Sequence, residues 1–296
     1  MVKNIGFIGT GVMGASIVKH LLKAGFNVSI YTRTKEKALP LIALGAQWGS
    51  TVGEAVEKSD LIFTMVGMPS DVREVYFGQQ GILNSAKKGA VLVDMTTSEP
   101  SLAKELYEAA KANGLHSLDA PVSGGDIGAQ NGTLSIMVGG DEGIFTQVQS
   151  VLAHFGTQIV YQGDAGSGQH AKMCNQIVVA NNLIGVCESI TYAVKSGLDA
   201  EKVLSSISSG AAGSWSLSNL GPKILQSDFA PGFYIKHMLK DLIIALQEAK
   251  AMNIELPGLQ KATEMFEVLQ ERGFGDEGTQ ALITYYLNND LNRSEQ

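Results

Sequence analysis

Three short stretches of this 296-residue chain combine residue types and spacings that chemistry can use. The first is Gly166-Ser167-Gly168-Gln169-His170-Ala171-Lys172-Met173-Cys174-Asn175-Gln176, which puts a lysine in the opening turns of a strongly apolar helical pattern. Lys172 and Asn175, three residues apart, share a helix face, and Gln176 sits beside them. A buried lysine is costly unless paired or functional, and burial can bring its pKa into the range of general acid–base work. Spacing alone does not choose between that role and a lysine snorkelling to the surface at a helix start. The second stretch is Asp119-Ala120-Pro121-Val122-Ser123-Gly124-Gly125, at the end of an expected strand. Ser123 with the backbone N–H groups of Gly124 and Gly125 can hold a carboxylate, because glycines allow close approach. A plain loop before a helix from Ile127 fits the same residues.

The third stretch, Gly9-Thr10-Gly11-Val12-Met13-Gly14, follows an apolar run and opens an amphipathic helix pattern. The spacing GxGxxG is weak evidence alone and strong in this strand–turn–helix context. The first glycine permits the tight turn, the second lets backbone approach a pyrophosphate, and the third lets helix and strand pack closely. The helix N-terminus then offers N–H donors and a positive dipole end to phosphates. A dinucleotide is the expected ligand, and a nicotinamide-dependent oxidoreductase the expected function. The second strand ends Ser29-Ile30-Tyr31-Thr32-Arg33-Thr34-Lys35, with no acid before Glu36 to take ribose hydroxyls. Arg33, flanked by Thr32 and Thr34, suits a 2′-phosphate, so NADP is expected over NAD. A solvated basic loop is the competing reading.

These groups need a scaffold. Apolar runs at Asn4–Ile8, Asn27–Tyr31, Leu61–Met65, Val91–Asp94 and His116–Asp119 read as strands, with Leu134–Val138 and Gln158–Tyr161 later. They alternate with helical patterns such as Ala15–Ala24, the signature of a largely parallel sheet whose ligands lie beyond the strand C-termini. Pro69 and Pro100 fall where strand-to-helix loops are expected. The glycine-rich stretch Gly163–Gly168 ends the alternation. Beyond it lie helical patterns at His170–Ser196, Ala200–Ser208, Leu217–Gln226, Ile235–Met252, Gly258–Glu271 and Gln280–Asn288, followed by a tail expected to fray over 288–296. Two domains follow, 1–165 for the dinucleotide and 166–296 for substrate and assembly.

Composition narrows the field. Hydrophobic residues at 45% and charged residues at 17% describe a globular chain, and a net charge of −7 disfavours nucleic acid or an anionic membrane as partner. No segment reads as a signal peptide or as long and apolar enough to span a bilayer; Ile177–Cys187, interrupted by Asn181 and Asn182, falls short. Residues Ile177–Val186 instead read as a buried helix with more apolar surface than a monomer covers. Cys174 and Cys187, on one helix, would be roughly 20 Å apart, too far to bridge, and free thiols fit the cytoplasm. The five histidines show no metal-ligand spacing, so no metal is expected. Ser123 lacks a nucleophile elbow, which argues against a hydrolase.

Four ordered blocks together resemble the β-hydroxyacid dehydrogenases: Gly6–Gly14, Asp119–Gly125, Gly166–Asn175 and Leu239-Lys240-Asp241-Leu242. The resemblance implies an α/β Rossmann fold with a doubly wound, mostly parallel sheet, then an all-α C-terminal domain, in a homodimer or homotetramer. It implies that Lys172 is the catalytic acid/base and Asn175 a substrate-holding group. Ser123 and Gly124 would bind the substrate carboxylate, with Gly125 beside them, and Phe233 would line the pocket. Thr97, Val66 and Gly67 match cofactor-contacting positions, and Lys240 would lie near cofactor and substrate. Thr32-Arg33-Thr34 is similar to the NADPH-using reductases of the family. Cys174 stands where the 6-phosphogluconate enzymes carry a histidine, and Lys172 argues against the imine reductases. The expected reaction is reduction of a small carboxylate-bearing aldehyde (tartronate semialdehyde, succinic semialdehyde or glyoxylate) to the hydroxy acid. NAD-dependent oxidation of 3-hydroxyisobutyrate is the alternative. A non-catalytic dinucleotide sensor is the reading from another class, and Lys172 with Asn175 counts against it.

Overall fold

The computed structural model describes residues 2–289, which form two compact units dividing between Lys172 and Met173. The division falls later than the glycine-rich stretch suggests, inside the helix Ser167–Lys195. The first turn of that helix is hydrogen-bonded to sheet residues, so it belongs with the sheet.

The first unit is one nine-stranded sheet. Its strands are β1 (Asn4–Ile8), β2 (Asn27–Tyr31), β3 (Gln47–Trp48), β4 (Leu61–Thr64), β5 (Val91–Asp94), β6 (His116–Asp119), β7 (Val122–Ser123), β8 (Leu134–Gly140) and β9 (Gly156–Gly163). The order is β3-β2-β1-β4-β5-β6-β8-β7, with β9 also on β8. β1 to β6 pair in parallel; β6 and β7 meet β8 antiparallel. This is the doubly wound Rossmann arrangement, extended by a mixed edge. Leu61–Thr64 and Val91–Asp94 are buried at every position, as strands covered by helices on both faces must be. One consequence of the register positions the chemistry. Tyr31, Ile8, Thr64, Asp94 and Asp119 are mutual neighbours along a single row, so five strands end together.

β3 and β7, two residues each, were not expected; strands so short show no periodicity. Pro69 and Pro100 are not in loops but are the first residues of helices Pro69–Phe77 and Pro100–Ala112, where a missing N–H costs nothing. The helix after Ser123 starts at Gly125 rather than Ile127.

The second unit is helical, with Ala180, Leu183, Val186, Cys187, Met238, Leu242, Ala262, Phe266 and Leu282 in its core. Its further helices are Ala200–Ile207, Trp215–Asn219, Gly221–Leu225, Ile235–Ala251, Pro257–Glu271 and Ile283–Asn289. The segment read as one helix over Leu217–Gln226 is two, since Gly221-Pro222 restarts it. The last helix reaches Asn289, and the expected frayed tail lies otherwise outside the described residues. The long helix corrects two expectations. It is not buried throughout: Val178, Tyr192 and Val194 are exposed, as are Asn181, Asn182 and Gly185. By length and composition it is also apolar enough to cross a membrane, although its inner face forms this unit's core. Cys174 and Cys187 both lie on it as free thiols, one exposed and one buried.

Candidate active site

The glycine turn leaves β1 at the row of strand ends. Gly9 sits at φ +97°, and a Cβ there would lie 2.2 Å from the Met65 carbonyl oxygen, so only glycine makes the turn. A Cβ on Gly14 would meet the Gly9 carbonyl oxygen at 2.2 Å, which is the close helix–strand packing the spacing predicts. Gly11 differs: nothing stands within 4 Å of its would-be Cβ, and it caps the helix Val12–Lys23. A side chain there would fill the cradle a phosphate needs. Thr10 is buried, yet its hydroxyl finds no hydrogen-bond partner among the described residues. An orphaned hydroxyl beside an open helix N-terminus fits a pyrophosphate, which supplies acceptor oxygens.

The neighbouring strand ends are wired together by buried polar groups. Thr64 Oγ1 donates to Asp94 Oδ1 at 2.7 Å, so the Tyr76 hydroxyl, 3.0 Å from that same Oγ1, donates to it. The Thr96 N–H also donates to Asp94 Oδ1, at 3.1 Å, and Thr96 Oγ1 accepts the Val66 N–H at 3.0 Å. Burial pushes the Asp94 carboxyl up to about 6 against the pull of these donors. This wiring holds the two loops that carry the expected cofactor contacts, Val66-Gly67 and Thr97.

Asp119, at the end of β6, reaches the start of the long helix. Its two oxygens accept the N–H groups of Gly166 and Gln169, each at 2.8 Å. Burial raises its carboxyl and these backbone donors oppose the rise. The helix approaches so closely that a Cβ on Gly168 would lie 2.4 Å from the Met137 carbonyl oxygen and 2.7 Å from that of Asp119. Gln169 is fully buried; its Nε2 donates to the Thr96 carbonyl at 2.8 Å and its Oε1 accepts the Ser98 N–H at 3.0 Å. Lys172, one turn on, is 7% exposed, so the snorkelling reading fails. Four residues after Asp119, Ser123 pairs with Ser135 in the short β7–β8 ladder, and Gly124 and Gly125 take φ +128° and +63° where the next helix begins.

The end of β2 is different in kind. Thr32 is half-buried, whereas Arg33 is exposed and 3.3 Å from Asp71, whose other oxygen accepts the Met68 N–H. Thr34 precedes a short helical turn, and Lys35 lies over the Trp48 ring.

In the second unit, Asn175 Nδ2 donates to Gln176 Oε1 at 2.7 Å, and Gln176 Nε2 donates to Asp241 Oδ2 at 2.6 Å. Lys240 Nζ stands 2.8 Å from the other Asp241 oxygen, an ion pair with angles outside those of a hydrogen bond. Phe233 stacks with His237 at 6.4 Å between centroids. The glycine turn, Val66, Gly67 and Thr97 thus follow directly from the row of strand ends in one unit, which also holds Ser123 and Lys172. Asn175, Lys240 and Phe233 belong to the other. Sequence reasoning missed Asp94, Asp119, Thr96, Gln169 and Asp241 as supporting residues. The available signal was an acid closing each of two apolar strands, and a glutamine three residues before Lys172. Among the described residues no group of three or more histidine, cysteine or acidic side chains could hold a metal.

Two family models cover the chain. The NAD-binding domain of 6-phosphogluconate dehydrogenase matches residues 4–163, and the NAD-binding domain of NADP-dependent 3-hydroxyisobutyrate dehydrogenase matches 166–286. An uncharacterised oxidoreductase of Bacillus subtilis, YkwC, is 57% identical over 97% of this chain and 100% of its own. The 2-hydroxy-3-oxopropionate reductase of Escherichia coli is 39% identical over 95% and 96%. The solved 3-hydroxyisobutyrate dehydrogenase of Mycobacterium tuberculosis superposes with a TM-score of 0.87 at 31% identity, covering 96% of this chain and 99% of that one. With the phosphate cradle, the strand-end wiring and the buried lysine in view, the chain belongs to the β-hydroxyacid dehydrogenase family and is an NAD(P)-dependent oxidoreductase acting on CH–OH groups.

Proposed function

We propose that this enzyme reduces a small carboxylate-bearing aldehyde to the hydroxy acid, with Lys172 as general acid/base and NADPH as the preferred cofactor. The observation that carries the reading is a buried lysine on a helix whose start is hydrogen-bonded to the end of β6 and to the loop after β5. Gly9 to Gly14, with the Thr10 hydroxyl and the Gly11 cradle, would hold the pyrophosphate; Val66, Gly67 and Thr97 would contact the cofactor further along, as would Lys240. When bound, the nicotinamide supplies the hydride. Lys172, as ammonium, donates a proton to the developing alkoxide and its charge stabilises that oxyanion; as free amine it accepts the proton in oxidation. Ser123 and the N–H groups of Gly124 and Gly125 anchor the substrate carboxylate, Asn175 orients the carbonyl, and Phe233 lines the pocket. Asp241, through Gln176, fixes the rotamer of Asn175. A sensor without catalysis is set aside, because the family is one of enzymes.

Arg33 supports NADPH: its guanidinium stands just beyond β2, a strand that ends without an acid of its own, and pairs with Asp71 at 3.3 Å. The substrate class is supported by the E. coli reductase, and oxidation of 3-hydroxyisobutyrate by the M. tuberculosis neighbour and the second family model. Residues 166–296 would serve substrate binding and assembly. The exposed Val178, Tyr192 and Val194 on the long helix support a homodimer or homotetramer, and the two free cysteines support a cytoplasmic setting.

The deciding experiment is Lys172→Ala, assayed with tartronate semialdehyde, succinic semialdehyde, glyoxylate and 3-hydroxyisobutyrate against both cofactors. We expect kcat to fall about 10³-fold with NADPH affinity held within about threefold. Turnover that survives the substitution removes Lys172 from the mechanism.

A further inference from the structure

We propose that Gln169 is a positioning residue for catalysis: its side-chain amide locks the first turn of the Lys172 helix to the Thr96–Ser98 loop. The inference rests on the reading of Lys172 as the acid/base. Gln169 is fully buried, and its backbone N–H and both side-chain polar atoms bond to residues outside its helix. Its backbone N–H goes to Asp119 Oδ2, its Nε2 to the Thr96 carbonyl and its Oε1 to the Ser98 N–H, at 2.8, 2.8 and 3.0 Å. The two side-chain bonds grip backbone on either side of Thr97, the residue expected against the cofactor. Lys172 lies three residues further on, on the same helix face. One amide therefore spans the two parts whose separation decides proton transfer. Asp119 holds the N–H groups at the helix start from the end of β6, and the Gln169 side chain adds the link to the Thr96–Ser98 loop.

A buried amide that both donates and accepts across a fixed gap is hard to replace. Leucine is of similar size and makes neither bond. Glutamate keeps the acceptor for Ser98, but when ionised it offers no proton and faces the Thr96 carbonyl oxygen. Protonated glutamic acid restores both bonds, its O–H donating to Thr96 and its carbonyl accepting from Ser98. Burial and the neighbouring Asp119 carboxylate favour that neutral form at acid pH, against the pull of the Lys172 ammonium three residues on.

The test compares wild type, Gln169→Leu and Gln169→Glu for kcat, KM and NADPH affinity, using the fastest of the four substrates named above. Gln169→Leu should lower kcat about 10²-fold while KM for the carbonyl substrate and the dissociation constant for NADPH move less than threefold. The Ser98 amide should exchange its hydrogen at least tenfold faster in that variant, a readout that needs no turnover. The kcat ratio of Gln169→Glu to wild type should climb at least tenfold from pH 8 to pH 5.5. A merely structural glutamine would lower stability and leave that ratio flat. A flat ratio, or wild-type kcat in a folded Gln169→Leu, overturns the proposal even if Lys172→Ala is dead. Surviving turnover in Lys172→Ala instead overturns the parent reading.

Discussion

The ends of β5 and β6 and the end of β2 stop on the same row of the sheet, yet they are built by opposite rules. Asp94 and Asp119 are buried carboxylates, each holding two or more donors and each with its carboxyl raised by burial. Arg33 waves from the surface with one rival, Asp71, at 3.3 Å. The lesson concerns tolerance. Where geometry must be kept to within a fraction of an ångström, charge is spent inside the fold on holding loops still. At the end of β2 the proposed cofactor contact is a solvated arginine, whose strength screening would set.

That contrast can be broken at its rigid side first. Gly168→Ala should destabilise the protein by about 3 kcal/mol in urea unfolding, because the new methyl meets backbone rather than a movable side chain. Stability within about 0.5 kcal/mol of wild type would mean that the helix start is looser than described.

Asp94→Asn probes the buried charge. An acid whose folded pKa is raised holds its proton longer when folded than when unfolded. Its contribution to stability is therefore fully present below the unfolded value of 3.8 and is lost as pH rises through about 6. Asparagine keeps the acceptor for Thr64 and Thr96 and removes the titration. The stability of Asp94→Asn relative to wild type should thus rise by about 3 kcal/mol between pH 3.5 and pH 7.5. A difference that does not vary with pH would show that the carboxyl is not held in this way.

The exposed side should give smaller numbers. Arg33→Ala should raise KM for NADPH about tenfold and leave NADH within about twofold, the loss of one charged hydrogen-bonding group. Asp71→Asn should shift preference toward NADPH by only about threefold, and the shift should shrink in 0.5 M salt. Equal effects of Arg33→Ala on both cofactors would remove the 2′-phosphate role.

Most of the fold was legible in the residues. β1, β2, β5 and β6 start and end where alternation and apolar runs said they would, because a doubly wound sheet imposes a strong local pattern. The two-residue strands Gln47–Trp48 and Val122–Ser123 were not, since tertiary contacts rather than local preference hold them in the sheet. The outward side of the long helix misled for a related reason: Val178, Tyr192 and Val194 are as apolar as core residues, and hydropathy does not say which face a neighbour covers. Of the site, the glycines and Lys172 announced themselves by type and spacing. Gln169, Asp94 and Asp119 did not, because their task is defined by partners as distant in sequence as Thr96 and Ser98 are from residue 169.

The shared stopping line of β2, β1, β4, β5 and β6 has an evolutionary consequence. Each departing segment springs from an anchored stump, so replacements after Tyr31 leave the stump after Asp119 undisturbed. Preference for one nucleotide and preference for one acid can drift on separate schedules, which is how a single architecture comes to furnish a crowd of cousins with different tastes.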